Sequence, residues 1–176
     1  PHGSERLIDM VIDAMLAEYV EEKEIEDRLE ILGPQISISI IEQQFNVTFR
    51  DFQSASLEGL LRGKNVILHV PTGSGKGIVF QAASRVLFER GITVAVYPLK
   101  SLLIDQQRSA ANHGVTAVAI NGDVKGSRRR DALKRITTDP DVSMVLTTPE
   151  TLMASSALRA KLLARGVSLV VIDEAH

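Results

Sequence analysis

Asn65-Val66-Ile67-Leu68-His69-Val70-Pro71-Thr72-Gly73-Ser74-Gly75-Lys76-Gly77 is the stretch whose reading decides the fold. Val66 to Val70 is a short β-branched run and reads as a buried strand. Pro71 ends it, and Thr72-Gly73-Ser74-Gly75 is a glycine-rich turn. Lys76 opens an amphipathic segment, Ile78 to Arg90. Strand, glycine turn, lysine and helix in that order describe a phosphate-binding loop. Glycines let several backbone N–H groups converge on one phosphate, and the helix N-terminus adds partial positive charge. Lys76 can reach the β- and γ-phosphates.

The general pattern is G-x-x-x-x-G-K-[ST]. Val70 stands where its first glycine would be, and Gly77 stands where serine or threonine would be. The second departure is the serious one. That hydroxyl normally ligates Mg²⁺, and glycine has no oxygen to offer there. A water can replace it on an ion that keeps several waters, but the ion's placement then loosens. A glycine turn with no ligand is the bland alternative for the stretch, and the rest of the chain weighs against it.

At 176 residues the chain is about one domain and has length enough for a real core. It contains no cysteine, which excludes disulfides and thiolate metal sites and favours an intracellular address. No apolar run approaches a membrane span, and no signal peptide stands at the N-terminus. Residues 1–32 carry ten acids and three bases, a net −7, leaving the remainder at +5 against a total of −2. An acidic prefix on a mildly basic body is compatible with nucleic-acid binding by the body.

Residues 5–31 place Leu7, Ile8, Val11, Ile12, Met15, Leu16 and Tyr19 on one helical stripe, which Gly33-Pro34 ends. Helical patterns follow at Ile36–Phe45 and Gln53–Arg62. Beyond the loop the chain alternates. Helix 76–90 leads to strand 93–97, helix 99–112 to strand 116–120, and a basic helix 128–138, with Ser127 as its cap, to strand 142–147. Helix 150–165 leads to the last strand, 167–172. Five strands alternating with helices predict a parallel sheet covered on both faces. His69 reads as a core histidine, Tyr97 as core, and Arg128-Arg129-Arg130 as a solvated face.

In such sheets ligands gather beyond the carboxyl ends of the strands. The phosphate loop, Tyr97-Pro98, Thr147-Thr148-Pro149 and Asp173-Glu174 all fall there. A carboxylate at a strand tip beside a phosphate loop suits a magnesium site: Asp173 can hold the ion, and Glu174 can orient and deprotonate an attacking water. With Lys76 they form a catalytic set for phosphoryl transfer, which needs mainly positioning and charge neutralisation.

At this point the chain resembles a known family. Pro71-Thr72-Gly73-Ser74-Gly75-Lys76 with Asp173-Glu174-Ala175-His176 looks like a superfamily 2 helicase of the DEAH-lettered kind, and more narrowly like the RecQ group. Phe49-Arg50-Asp51-Phe52-Gln53 is similar to that group's F-R-x-x-Q adenine motif. Tyr97-Pro98-Leu99-Lys100-Ser101-Leu102 with Asp105-Gln106 is similar to its S-P-L-x-S-L-x-x-D-Q motif, and Thr148-Pro149-Glu150 to its T-P-E motif.

The resemblance covers residues 45–176 and implies an α/β fold there, a three-layer RecA-like P-loop domain with a parallel sheet. Residues 1–44 lie outside it and read, from their charge and helical spacing, as an acidic helical extension. It implies ATP and Mg²⁺ as cofactors, and single-stranded or partially duplex DNA as partner. Arg50 would stack on adenine, and Gln53 would hydrogen-bond its edge. Thr72, Gly73, Ser74, Gly75, Lys76 and Gly77 would cradle the phosphates. Leu99, Lys100, Ser101, Thr148, Pro149 and Glu150 would touch the DNA backbone. His176 would couple the nucleotide site to a second RecA-like domain, which lies in the family beyond the point where this sequence stops. The address implied is intracellular, and nuclear in a eukaryote. The aromatic that precedes the family's arginine is unmatched, with Asn46 near its place. The leading expectation is the ATP-binding motor domain of a helicase. The alternative, motivated by Gly77, is a helicase-derived module that holds nucleotide or DNA without turnover.

Overall fold

The structure, a computed structural model, describes residues 38–71 and 73–173. The expected helix or helix pair within residues 5–31 lies outside them. Two helices come first, α1 (Ile38–Phe45) and α2 (Asp51–Leu61). Then α3 (Lys76–Val86) and a single 3-10 turn lead into β1 (Ile92–Val96). The alternation continues through α4 (Lys100–Asn112), β2 (Thr116–Ala119), α5 (Gly126–Thr138) and β3 (Val142–Thr147). It ends with α6 (Pro149–Ala154), α7 (Ser156–Arg165) and β4 (Val167–Ile172).

The described strands form one sheet in the order β2-β3-β1-β4, parallel throughout. β1 and β3 are buried along their whole length, as their near-continuous apolar runs require of central parallel strands. Each face of the sheet carries its own core. Ala95, Met144 and Leu146 pack with Leu57, Val79 and Leu103 from α2, α3 and α4. Val94, Val118 and Val145 pack with Ile136, Leu158 and Leu162 from α5 and α7. Helix, sheet and helix layers are the expected α/β arrangement.

Three details depart from the sequence reading. Residues 66–70 are not a strand. They run as unpaired chain, with Ile67 95% exposed and His69 exposed as well, so His69 is not a core histidine. Val66 does turn inward, its Cγ2 2.9 Å from where a β-carbon on Gly59 of α2 would stand. A β-branched run encodes extended backbone, but a strand also needs a neighbour to pair with. Among the described strands β4 pairs with β1 alone, and its outer side is half-exposed. The second departure is the start of α5, at Gly126 and not at a Ser127 cap; its N-cap, Lys125, makes no side-chain capping bond. Third, the expected helix 150–165 breaks at Ser155, whose Oγ accepts from Leu158 N at 3.2 Å and caps α7.

Gly91 joins the 3-10 turn to β1 with φ 147°, and a β-carbon there would stand 2.7 Å from the Gly166 carbonyl oxygen. The obstacle is backbone and cannot swing away. Gly91→Ala is expected to destabilise the protein by about 1–2 kcal/mol, measured as a lower urea midpoint at unchanged m-value.

Candidate nucleotide site and strand-end groove

The carboxyl ends of β1, β3 and β4 share one edge of the sheet, as parallel pairing demands. Asp173 follows β4 directly and is held to β1 by its N–H donating to the Val96 carbonyl at 3.1 Å. Lys76 is the first residue of α3, and its Nζ lies 3.8 Å from Asp173 Oδ1. Both side chains are about one-fifth exposed, at 23% and 19%. The pair is therefore partly exposed and long for an ion pair. Thr72, Glu174 and His176 lie outside the described residues, so the structure says nothing of their expected roles.

The loop before Lys76 is held from α2. Arg50, in extended backbone, precedes the helix, and Gln53 Oε1 accepts from Arg50 N at 2.8 Å. The other end of the same amide donates to the Gly75 carbonyl at 2.9 Å, and Arg50 Nη1 donates to the Ser74 carbonyl at 2.9 Å. Gly75 has φ 86°, and a β-carbon there would stand 2.8 Å from Gln53 Nε2. Only glycine permits both the left-handed turn and this close approach. Arg50 and Gln53 thus fix the shape of the phosphate loop. Part of Gln53's capacity is already used; one amide N–H and one lone pair remain for a base.

These groups line a cavity of about 550 Å³ that contains Arg50, Gln53, residues 73–77 and Asp173. Its far wall is a face of α4. Leu102, Gln106, Ser109 and His113 fall at i, i+4, i+7 and i+11. Of these, Ser109 and His113 escaped the sequence reading, although the helical period counted from Gln106 would have found them. Behind them, Gln81 Nε2 donates to Ser109 Oγ at 3.2 Å and Gln81 Oε1 faces His113 Nδ1 at 2.7 Å.

Among the described residues no group of three or more His, Cys, Asp or Glu side chains could hold a metal. The donors present do suit magnesium, which takes oxygen ligands, keeps several waters, and is bound through one or two carboxylates plus phosphates. Asp173 supplies a carboxylate. Gln106 lines the same cavity, and its buried Oε1 accepts no hydrogen bond among the described residues. Tyr97 is fully buried beside this edge, as expected of a core residue. Burial, and then the Asp173 charge, hold its phenol far above the usual range, so it stays neutral.

A second cavity of about 680 Å³ opens along the same edge, lined by Leu99, Lys100, Ser101, Thr148 and Glu150 among others. Pro149 is the first residue of α6. The Thr148 hydroxyl is buried and engaged: it caps α6 by accepting from Thr151 N at 3.3 Å and pairs with Thr151 Oγ1 at 3.0 Å. Lys100 Nζ pairs with Asp123 Oδ1 at 2.7 Å in an exposed setting, where such a pair exchanges easily for another anion. Arg129 corrects the expectation of a solvated face. It is half-buried in the groove wall, and its guanidinium bonds Ser155 Oγ at 2.8 Å and the Asn121 carbonyl at 3.3 Å. Arg128 and Arg130 are exposed.

Comparison with known proteins agrees with this geometry. The chain is 32% identical over 134 residues to ATP-dependent DNA helicase Q-like 5 of Arabidopsis thaliana, covering 73% of this chain and 14% of that protein. It is 34% identical over 130 residues to probable ATP-dependent DNA helicase RecS of Bacillus subtilis, covering 73% and 25%. With RecQ-like DNA helicase blm-1 of Caenorhabditis elegans it shares 28% over 169 residues, covering 89% and 16%. The chain therefore spans a quarter or less of the length of these relatives. The DEAD/DEAH box helicase family matches residues 50–176, from the arginine that clasps the phosphate loop to the last histidine. Matched over well more than half of its length, the chain belongs to the DEAD/DEAH box helicase family.

Proposed function

We propose that residues 45–176 are the ATP-binding part of the first motor domain of a RecQ-like DNA helicase, preceded by an acidic helical extension at 1–44. In the full protein a second RecA-like domain would close on the nucleotide, and ATP hydrolysis would drive DNA strand separation in an intracellular, DNA-containing compartment. The observation that carries this proposal is the approach of Lys76 to Asp173 at 3.8 Å, in a cavity bordered by Arg50 and Gln53.

In this proposal Arg50 stacks on adenine with its planar guanidinium, and Gln53 reads the base edge with its remaining donor and acceptor. The backbone of Thr72 to Gly77 cradles the phosphates, and Lys76 neutralises the β- and γ-phosphates. Asp173 holds Mg²⁺, which when bound supplies charge neutralisation across those phosphates. Glu174 orients the attacking water and takes its proton. Leu99 to Ser101 and Thr148 to Glu150 follow the DNA backbone. Because the Thr148 hydroxyl is engaged in its cap, the contact there falls to main-chain groups and Glu150's neighbours, which carry no base information.

ATP binding measured by calorimetry and single-stranded DNA binding measured by anisotropy test the proposal. DNA affinity is expected to be indifferent to sequence and to fall by about an order of magnitude between roughly 50 and 200 mM salt, as for about three phosphate contacts. An absence of single-strand binding at low salt would remove the DNA half of the proposal. An absence of ATP binding would remove the nucleotide half.

A further inference from the structure

Position 77 lacks the hydroxyl of its motif, but the space around it is not featureless. A β-carbon built on Gly77 meets Gln106 Oε1 at 3.5 Å, Gln81 Nε2 at 3.6 Å and Phe80 Cζ at 3.8 Å. These are ordinary contacts, so a serine side chain would fit. Two amide heads already stand within 3.6 Å of where its β-carbon would be.

The two amides differ in one respect. Gln81 is used at both ends, by Ser109 Oγ and by His113 Nδ1. Next to Gln106 on α4, Gln107 also has its partner, donating to the Ala117 carbonyl at 2.8 Å. Gln106 Oε1 is buried and accepts nothing among the described residues. A buried polar oxygen without a donor is uncommon in folded proteins, and an ion or water is one of its standard explanations. Its residue, Gln106, lines the same cavity as Lys76 and Asp173.

We propose that Gln106 supplies from α4 the oxygen that position 77 lacks: its side-chain carbonyl holds the divalent cation of a bound nucleotide, directly or through one of the ion's waters. An amide carbonyl is a hard oxygen ligand of the kind magnesium accepts. The substitution at 77 is then compensated by a neighbouring helix and is no sign of a dead site. This inference rests on the nucleotide reading above.

The test is calorimetric binding of a non-hydrolysable ATP analogue to the full chain, with magnesium titrated and with EDTA. The variants are Gln106→Ala, Gln106→Glu, Gly77→Ser and the double Gly77→Ser/Gln106→Ala. Gln106→Ala should raise the magnesium concentration needed for half-maximal enhancement by about tenfold, the scale on which groups supporting a metal act. Its affinity in EDTA should match the parent's. In the Gly77→Ser background the same change should have no effect on the magnesium requirement, because the serine hydroxyl takes over. Gln106→Glu, equal in size and negatively charged, should lower that requirement, and it decides the matter alone if the alanine variant does not fold. An unchanged magnesium requirement in Gln106→Ala or Gln106→Glu overturns the inference. So do equal losses with and without magnesium, or an undiminished loss in the serine background. A parent that binds no analogue under either condition overturns the nucleotide reading and this inference together. A parent that binds, with a requirement indifferent to Gln106, overturns the inference alone.

Discussion

Asp173→Asn is expected to slow DNA-stimulated ATP hydrolysis by the complete protein at least about a hundredfold. The change keeps the size of the side chain and leaves the main-chain bond from Asp173 N to the Val96 carbonyl in place, so the strand end keeps its position. What disappears is the one described carboxylate beside Lys76, at 3.8 Å. Phosphoryl transfer depends on placing charge across the β- and γ-phosphates, and a displacement near 1 Å costs on the order of a hundredfold. ATP binding without magnesium should not fall, because removing a negative charge next to the phosphates relieves repulsion. Steady-state hydrolysis and calorimetry in EDTA separate the two effects. Hydrolysis by Asp173→Asn at the parent's rate would overturn the proposal that Asp173 holds magnesium.

Lys76→Ala is expected to weaken ATP binding by about 2–3 kcal/mol, on the order of fiftyfold, as for loss of a charge-assisted contact to phosphate. The loss should not come from unfolding. Alanine is the best helix former, and Lys76 is the first residue of α3. The ion pair it gives up is partly exposed at 3.8 Å, and such pairs add little to stability. Melting temperatures of the two proteins should therefore agree while their calorimetric affinities separate. Equal ATP affinity in parent and Lys76→Ala would mean that the phosphates do not lie against this loop.

The layered α/β architecture was readable in the sequence, because it depends on local signals that repeat. Apolar runs such as Val142–Thr147, alternating with amphipathic helices, encode parallel strands and crossovers without any knowledge of partners. The edge on which the site sits followed from that order, since the carboxyl ends of parallel strands share one side. Arg50, Gln53, residues 73–77 and Asp173, each named by a motif, do come together around one cavity.

Only the tertiary structure decided the rest, for one physical reason: each remaining feature depends on what lies beside a residue in space. The segment 66–70 has the composition of a strand, yet it finds no pairing partner among the described residues. Arg129 belongs to a basic run, but the carbonyl of Asn121 and the hydroxyl of Ser155 draw it into the groove wall. Arg50 and Gln53 stood out in the sequence only through a motif, and their clasp on the carbonyls of Ser74 and Gly75 appears only once the loop is folded against α2. The sequence recorded the missing oxygen at Gly77. The Gln106 oxygen beside it, which accepts no hydrogen bond among the described residues, comes from another helix, and chain order holds no trace of that proximity.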